Sequence, residues 1–171
     1  MLTRKSNTLF ASRHTIQSTI KRLSREIEYD YLDKDPIFIG ILSGSFIFLA
    51  DLVRNIPIEM EIDFCSVSSY TNNIQTTKPI FNLLPKVELH GRNVVVVEDI
   101  LDTGTTIEEV VNCFKLLGCN SIEVVSLFKR KSCTYPAKYV GIVVEDNEFL
   151  VGYGLDDCGR KRNLSDVYSL K

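Results

Sequence analysis

Four consecutive valines, Val94 to Val97, constrain this 171-residue chain more than any other feature. Such a run cannot alternate between a dry face and a wet one, so it predicts a central strand of a parallel sheet covered on both sides. The run gives way to Glu98-Asp99-Ile100-Leu101-Asp102 and then to Thr103-Gly104-Thr105-Thr106, a small, hydroxyl-rich turn. Glu98 and Asp99 are expected where the strand ends. A helix is expected from near Thr106, with Val110, Val111, Phe114 and Leu117 on its apolar side. Glycine and small hydroxyl residues let several backbone amides converge on one anion, and the helix adds the positive end of its dipole, so the turn suits a phosphate. Carboxylates repel phosphate. Glu98 and Asp99 therefore call for ribose hydroxyls, a divalent cation, or both, since Mg2+ takes one or two carboxylates together with substrate phosphate oxygens. Acidic and threonine residues also serve ligand-free helix starts as caps, and that alternative stays open at this point.

The rest of the chain supplies a second turn of the same kind. Ile16, Ile20, Leu23 and Ile27 recur at helical spacing between Ser12 and Tyr29 and predict an amphipathic helix, while the first eleven residues carry no clear signal. Asp33-Lys34-Asp35-Pro36 breaks that helix, and Ile37 to Leu42 reads as another buried strand. Ser43-Gly44-Ser45 follows at once, before a helical period through Phe46, Leu49, Ala50 and Val53. Tiny loops at the carboxyl ends of neighbouring parallel strands are where open α/β sheets bind ligands; taken alone, this one reads rather as a plain tight turn, and it is the pair of such loops that points to a ligand. Glu59 to Val67 suits a strand with one polar side. The polar segment from Ser68 through Ser69, Tyr70 and Thr71 to Pro79 reads as a long loop, either a lid that excludes water or a solvated hairpin tip. Ser121 to Phe128 is a strand ending in Lys129-Arg130-Lys131, which would bring cations beside the carboxylates. Tyr139 to Val144 is a further strand, and Glu148 to Asp156 a short apolar run broken by two glycines. The tail from Asp157 to Lys171 mixes charges without repeat or low-complexity sequence, and residues 1–171 are expected to form a single domain.

Charge and composition narrow the partners. Twenty basic residues against 22 acidic give no electrostatic footprint for nucleic acid or an anionic membrane. No apolar run approaches the roughly 20 residues of a membrane span, and Met1-Leu2-Thr3-Arg4-Lys5 leads into polar sequence, so a cytoplasmic setting is expected. The five cysteines form no CxxC pair, and neither His14 nor His90 lies at zinc-ligand spacing from one, which points to reduced thiols. Neither GxGxxG nor GxxxxGK[ST] occurs.

Taken together, Val94 to Thr106, Leu42-Ser43-Gly44-Ser45-Phe46 and Phe149-Leu150-Val151-Gly152-Tyr153-Gly154-Leu155-Asp156 resemble the three signature segments of type I phosphoribosyltransferases, and among them of the bacterial hypoxanthine-guanine enzymes. The resemblance covers roughly Asp35 to Leu164. It implies an α/β fold: a central, mostly parallel sheet flanked by helices, with a flexible loop that includes Ser69 and Tyr70 and a small hood over a purine site. It implies purine salvage, in which hypoxanthine or guanine and phosphoribosyl pyrophosphate give IMP or GMP and pyrophosphate. Glu98 and Asp99 would hold the ribose hydroxyls, directly or through Mg2+, and Asp102, Thr103, Gly104, Thr105 and Thr106 would cradle the 5′-phosphate. Asp102 would also face the purine N7 as general acid/base. Ser43, Gly44 and Arg162 would contact pyrophosphate. Lys129 would donate to the purine 6-oxygen, Phe149 would stack on the ring, and the backbone of Leu150 would meet its exocyclic edge. Asp156 would bind a second Mg2+ and stand near the base. The family assembles as homodimers or homotetramers. Ser43 departs from the pattern, since many relatives carry lysine there, and interactions attributed to that lysine do not transfer. Other readings are the same fold with xanthine, adenine or a pyrimidine as base, or a nucleotide-sensing regulator of that fold. The choice between hypoxanthine and guanine lies beyond the sequence.

Overall fold

A computed structural model describes residues 7–71 and 74–170, without the side chains of residues 69–79. Its centre is the valine strand, β5 (Asn93–Leu101), with Val94 to Val97 fully buried. In chain order the preceding elements are β1 (Asn7–Ala11), α1 (Arg13–Tyr31), β2 (Ile37–Leu42), α2 (Phe46–Val53), β3 (Glu61–Thr71) and β4 (Ile74–Leu83). The following ones are α3 (Thr105–Leu116), β6 (Ser121–Arg130), β7 (Tyr139–Val144), β8 (Phe149–Val151) and β9 (Val167–Leu170). The large sheet has the order β4-β3-β2-β5-β6-β7, parallel throughout except for the antiparallel β3–β4 pair at one edge.

The four valines show why both faces had to be apolar. Val95 and Val97 join Phe38 and the helices α1 and α2 in one core; Val94 and Val96 join Ile37, Ile39 and the α3 residues Ile107, Val110 and Phe114 in the other. α1 is held to the sheet by its Ile16, Ile20, Leu23 and Ile27 stripe, starts at Ser12, whose hydroxyl accepts from the Thr15 amide, and gives its Arg22 guanidinium to the Val140 and Gly141 carbonyls. From β2 the chain passes through α2 to β3 on one side, and from β5 through α3 to β6 on the other. The strand order therefore reverses between β2 and β5, and their carboxyl ends open onto a crevice.

Several elements differ from the sequence-based expectation. The valine strand runs on to Leu101, so Glu98 and Asp99 lie within it and not beyond it. The stretch expected as a loop from Ser68 is largely the arms of an antiparallel hairpin, with Ser69 and Tyr70 in β3 and Thr76 and Thr77 in β4; ladder pairing absorbs polar residues wherever their backbone finds a partner. Asn72 and Asn73 lie outside the described residues. β1 and β9, which gave no signal, pair with each other, and β9 pairs with β8 in a separate sheet of order β1-β9-β8. That small sheet is the hood: it sets Phe149 at the start of β8 and is tied to α1 by the Arg13 amide, which donates to Asp166 Oδ1. Strands of four and five residues drawn from opposite ends of a chain carry too little periodicity to be read locally.

Phe114 is fully buried in the α3 core. Truncation to Phe114→Ala is expected to cost about 3–5 kcal/mol, read as a lower urea midpoint with an unchanged m-value; a midpoint within error of the parent would contradict this account of the second core.

Candidate active site

The crevice between β2 and β5 is lined by Leu42 and Gly44 from one turn, by Glu98, Ile100 and Leu101 from the strand, and by Asp102, Thr103, Gly104, Thr106 and Ile107 from the other turn. Both turns singled out in the sequence therefore face a single cleft. Gly104 begins α3 with a left-handed φ of 90° and no side chain caps it, while Thr103 Oγ1 accepts from the Thr105 amide at 3.3 Å. A twelve-residue helix with glycine at its N-cap and hydroxyls around its first turn is suited to an anion. Tyr135 and Cys133 pack behind this turn: a Cβ on Gly104 would stand 3.0 Å from Tyr135 Cβ and 3.4 Å from Cys133 Sγ.

On the other side the contacts are closer. A Cβ on Gly44 would lie 1.8 Å from Asp99 Oδ2, so the Ser43-Gly44 turn sits directly on the Asp99 carboxylate; the Leu42–Ser43 peptide in this turn is cis. Gly154, at φ 99°, in turn presses on the backbone of Gly44, where a Cβ would lie 2.1 Å from the Gly44 oxygen. A larger residue at Gly44 would displace the Asp99 carboxylate, and one at Gly154 would displace the Gly44 backbone. Asp99 is buried, and its Oδ1 accepts from the Ile100 amide at 2.9 Å. Glu98 is partly buried beside it. Burial first, then the Asp99 charge, then the side-chain hydrogen bond between the two raise the Glu98 carboxyl well above its ordinary 4.5.

The 152–164 segment meets the cleft through Gly154, which packs on Gly44. Arg162 Nη1 donates to the Gly154 carbonyl at 2.6 Å, Arg162 Nη2 pairs with Asp156 Oδ1 at 2.7 Å, and the Gly154 amide donates to the Arg162 carbonyl. Asp156 Oδ2 also accepts from the Gly159 amide at 2.6 Å. Tyr153, buried between two positive-φ glycines, donates its hydroxyl to Asp51 of α2, which also accepts from Gln17 of α1 at 2.9 Å. Burial and the bond to Asp51 push the Tyr153 phenol up, so it remains a donor. Thus Gly44, Asp156 and Arg162 come together through Gly154. Glu98, Asp99 and Asp156 do not form a three-carboxylate cage, and among the described residues no three His, Cys, Asp or Glu side chains converge as one.

At the ends of β5 and β6 the register sets Lys129 beside Leu101. Lys129 Nζ donates to the Tyr135 carbonyl at 2.7 Å. Asp102 is exposed, and its Oδ1 accepts from Arg130 Nε at 2.9 Å. Phe149, at the start of β8, is 47% exposed, and the adjoining Leu150 is buried. Sequence reasoning missed Arg130, Tyr135 and Tyr153 as individuals. Arg130 stood within a basic triplet with nothing to single it out, and the part played by the other two depends on loop packing that leaves no periodic trace. The expected flexible-loop residues Ser69 and Tyr70 are placed by backbone alone, and their side chains lie outside the described residues.

Comparison with known proteins adds an independent line. Residues 10–157 match the family described as phosphoribosyl transferase domain. A hypoxanthine-guanine phosphoribosyltransferase of Bacillus subtilis (strain 168) is 39% identical over 166 residues, covering 94% of this chain and 91% of the relative. The Listeria innocua protein named bifunctional protein TilS/HprT is 38% identical over 166 residues; this chain spans 25% of its length. A crystal structure of a hypoxanthine-guanine phosphoribosyltransferase from Bacillus anthracis superimposes with a TM-score of 0.89 at 35% identity, over 95% of this chain and 98% of that one.

The raised Glu98 carboxyl has a measurable consequence. A folded-state pKa above the unfolded one means that this group's contribution favours folding most below about 4.5 and is lost as pH rises through the interval above it. Glu98→Gln is therefore expected to raise the urea midpoint of the ligand-free protein at pH 7–8 and to leave it unchanged near pH 4. Parallel pH profiles for the two proteins would contradict the buried, like-charged placement.

Proposed function

We propose, since this chain belongs to the phosphoribosyl transferase domain family, that it is a purine-salvage enzyme joining hypoxanthine or guanine to phosphoribosyl pyrophosphate, with release of pyrophosphate and formation of IMP or GMP. The observation that carries this reading is the single cleft lined jointly by the Leu42–Gly44 turn, Glu98 and the Asp102–Ile107 turn. One turn suits a pyrophosphate, the other a 5′-phosphate, and the acidic strand end between them suits a ribose. The similarity to hypoxanthine-guanine enzymes supplies the choice of base.

Displacement of pyrophosphate from the ribose C1 develops positive charge at the sugar and negative charge on the leaving group. The Thr103 to Thr106 amides and hydroxyls hold the 5′-phosphate, and the Ser43 and Gly44 backbone with Arg162 receives the pyrophosphate. Ser43 keeps this contact because a backbone amide needs no particular side chain. Asp102 faces N7 of the purine and takes its proton as N9 bonds to C1, returning it in the reverse direction. Phe149 stacks on the ring, and the Leu150 backbone meets its exocyclic edge.

Lys129 reads the 6-position. In the ligand-free protein its ammonium is satisfied by a carbonyl, that of Tyr135, and a purine 6-oxygen offers an acceptor of the same kind. A 6-amino group offers no acceptor and presents its own N–H groups to the ammonium, so adenine gains no bond from Lys129 and is disfavoured.

Mg2+ fits the donor set. Glu98 and Asp99 crowd two acids within β5 and Asp156 supplies a further carboxylate, a set that suits an ion keeping substrate oxygens and water as its other ligands. When bound, Mg2+ would neutralise phosphate and pyrophosphate charge, with Glu98 and Asp99 holding one ion near the ribose and Asp156 a second.

The described residues contain no helix long and apolar enough to cross a membrane. The proposal extends to one domain over residues 1–171, a cytoplasmic setting in which its free thiols stay reduced, and homodimers or homotetramers.

Steady-state assays with phosphoribosyl pyrophosphate, Mg2+ and each of hypoxanthine, guanine, xanthine and adenine test the reading. Turnover of hypoxanthine or guanine without adenine is expected, and Asp102→Asn should lower kcat by about 10²- to 10⁴-fold with little change in KM for phosphoribosyl pyrophosphate. An enzyme inert toward every 6-oxopurine would overturn the assignment, and a fully active Asp102→Asn would remove Asp102 from the proton step.

A further inference from the structure

Arg130 ends β6 with a guanidinium that is 14% exposed and spans two parts of the site. Its Nε donates to Asp102 Oδ1 at 2.9 Å. Its Nη1 donates to the carbonyls of Glu145 at 3.1 Å, Asp146 at 3.4 Å and Glu148 at 2.6 Å. Those carbonyls belong to the turn that leaves β7 and delivers the chain to Phe149 at the start of β8. Neighbours of Arg130 fasten the same turn: the Lys131 amide donates to the Val144 carbonyl at 2.9 Å, and the Ser132 amide and hydroxyl donate to Asp146 Oδ1 at 3.0 and 2.8 Å. From the hood, the Ser169 hydroxyl donates to Glu148.

We infer that Arg130 is a positioning residue for the purine, fixing the Asp102 carboxylate relative to the plane in which Phe149 receives the ring. The inference rests on the proposed role of Asp102 and adds a residue to it. Asp102 is 69% exposed, and an exposed carboxylate in an ordinary surface ion pair is weakly held. Here the cation is immobilised by three carbonyls on a nearly buried guanidinium, so the pair acts as a directional constraint. With Oδ1 engaged by Arg130, Oδ2 is the oxygen presented to N7. The planar fork matters, because lysine has one nitrogen and cannot hold a carboxylate and a carbonyl turn along two separate edges. A displacement of about 1 Å in such a constraint can cost about 10²-fold in rate.

The test is a double-mutant cycle on the intact chain with hypoxanthine, guanine and phosphoribosyl pyrophosphate, using Arg130→Met, Asp102→Asn and the double variant. Arg130→Met is expected to lower kcat/KM for the purine about 10²-fold while KM for phosphoribosyl pyrophosphate changes by less than about 3-fold. In the Asp102→Asn background the same substitution should cost less than about 3-fold, because the carboxylate it orients is gone. Arg130→Lys, which keeps the charge without the fork, should fall between parent and Arg130→Met, and it carries the same cycle if Arg130→Met does not fold. Equal losses in both backgrounds, an equal rise in KM for phosphoribosyl pyrophosphate, or parental activity in Arg130→Met would overturn the inference. A parent protein inert toward both bases would overturn the proposed function, and this assignment with it; an active parent with additive losses would overturn the positioning role alone.

Discussion

The contact on which the site depends is that of Gly44 with Asp99. No side chain fits between them, and Gly154 lies against the Gly44 carbonyl with little more room. Three segments far apart in sequence, the β2 exit, the β5 carboxylates and the 152–156 run, are thereby brought into direct contact, Gly44 against the Asp99 carboxylate and Gly154 against the Gly44 backbone. Only backbone packed this tightly can offer amides, a buried acid and a guanidinium to one small ligand without intervening side chains. The sheet exists to set this up: parallel β2 and β5 end side by side where the strand order reverses, and their apolar faces are clamped between two cores.

How much of this was legible depended on the range of the interactions involved. Val94 to Val97, Ile37 to Leu42 and the Ile16 to Ile27 stripe announce their elements because burial imposes a local period, and the observed bounds of β2 and β7 match those expected. The two small turns stood out because glycine and hydroxyl residues directly after a buried strand suit an anion, and the structure brings both to one cleft. The hood was not readable, because β1 and β9 are stabilised by each other across the whole chain. Polar composition suggested a loop from Ser68 to Pro79, whereas antiparallel pairing makes most of it strand. Glu98 and Asp99 were placed at a strand end, and the strand instead carries them inside, which is why the Glu98 carboxyl is raised.

The charged groups of the ligand-free site share a physical pattern. Lys129 holds a carbonyl, Arg162 holds a carbonyl and Asp156, and Arg130 holds three carbonyls and Asp102. Each cation is thus oriented before any substrate arrives, so less ordering remains to be done on binding. The contrast between Lys129 and Arg130, adjacent in sequence, is instructive: the single ammonium can exchange one acceptor for another, while the fork is committed on two sides. In the proposed chemistry the first reads the base and the second keeps the geometry in which it is read.

The claim most directly exposed to test is that the Gly44 approach to Asp99 builds the phosphoribosyl pyrophosphate site. Isothermal titration calorimetry of the parent protein and Gly44→Ala with phosphoribosyl pyrophosphate, with and without Mg2+, addresses it without any turnover, with circular dichroism reporting whether the variant is folded. The account predicts saturable, Mg2+-dependent binding to the parent and its loss in a folded Gly44→Ala. Binding of equal strength to both proteins would contradict it, as would a parent that binds no phosphoribosyl pyrophosphate.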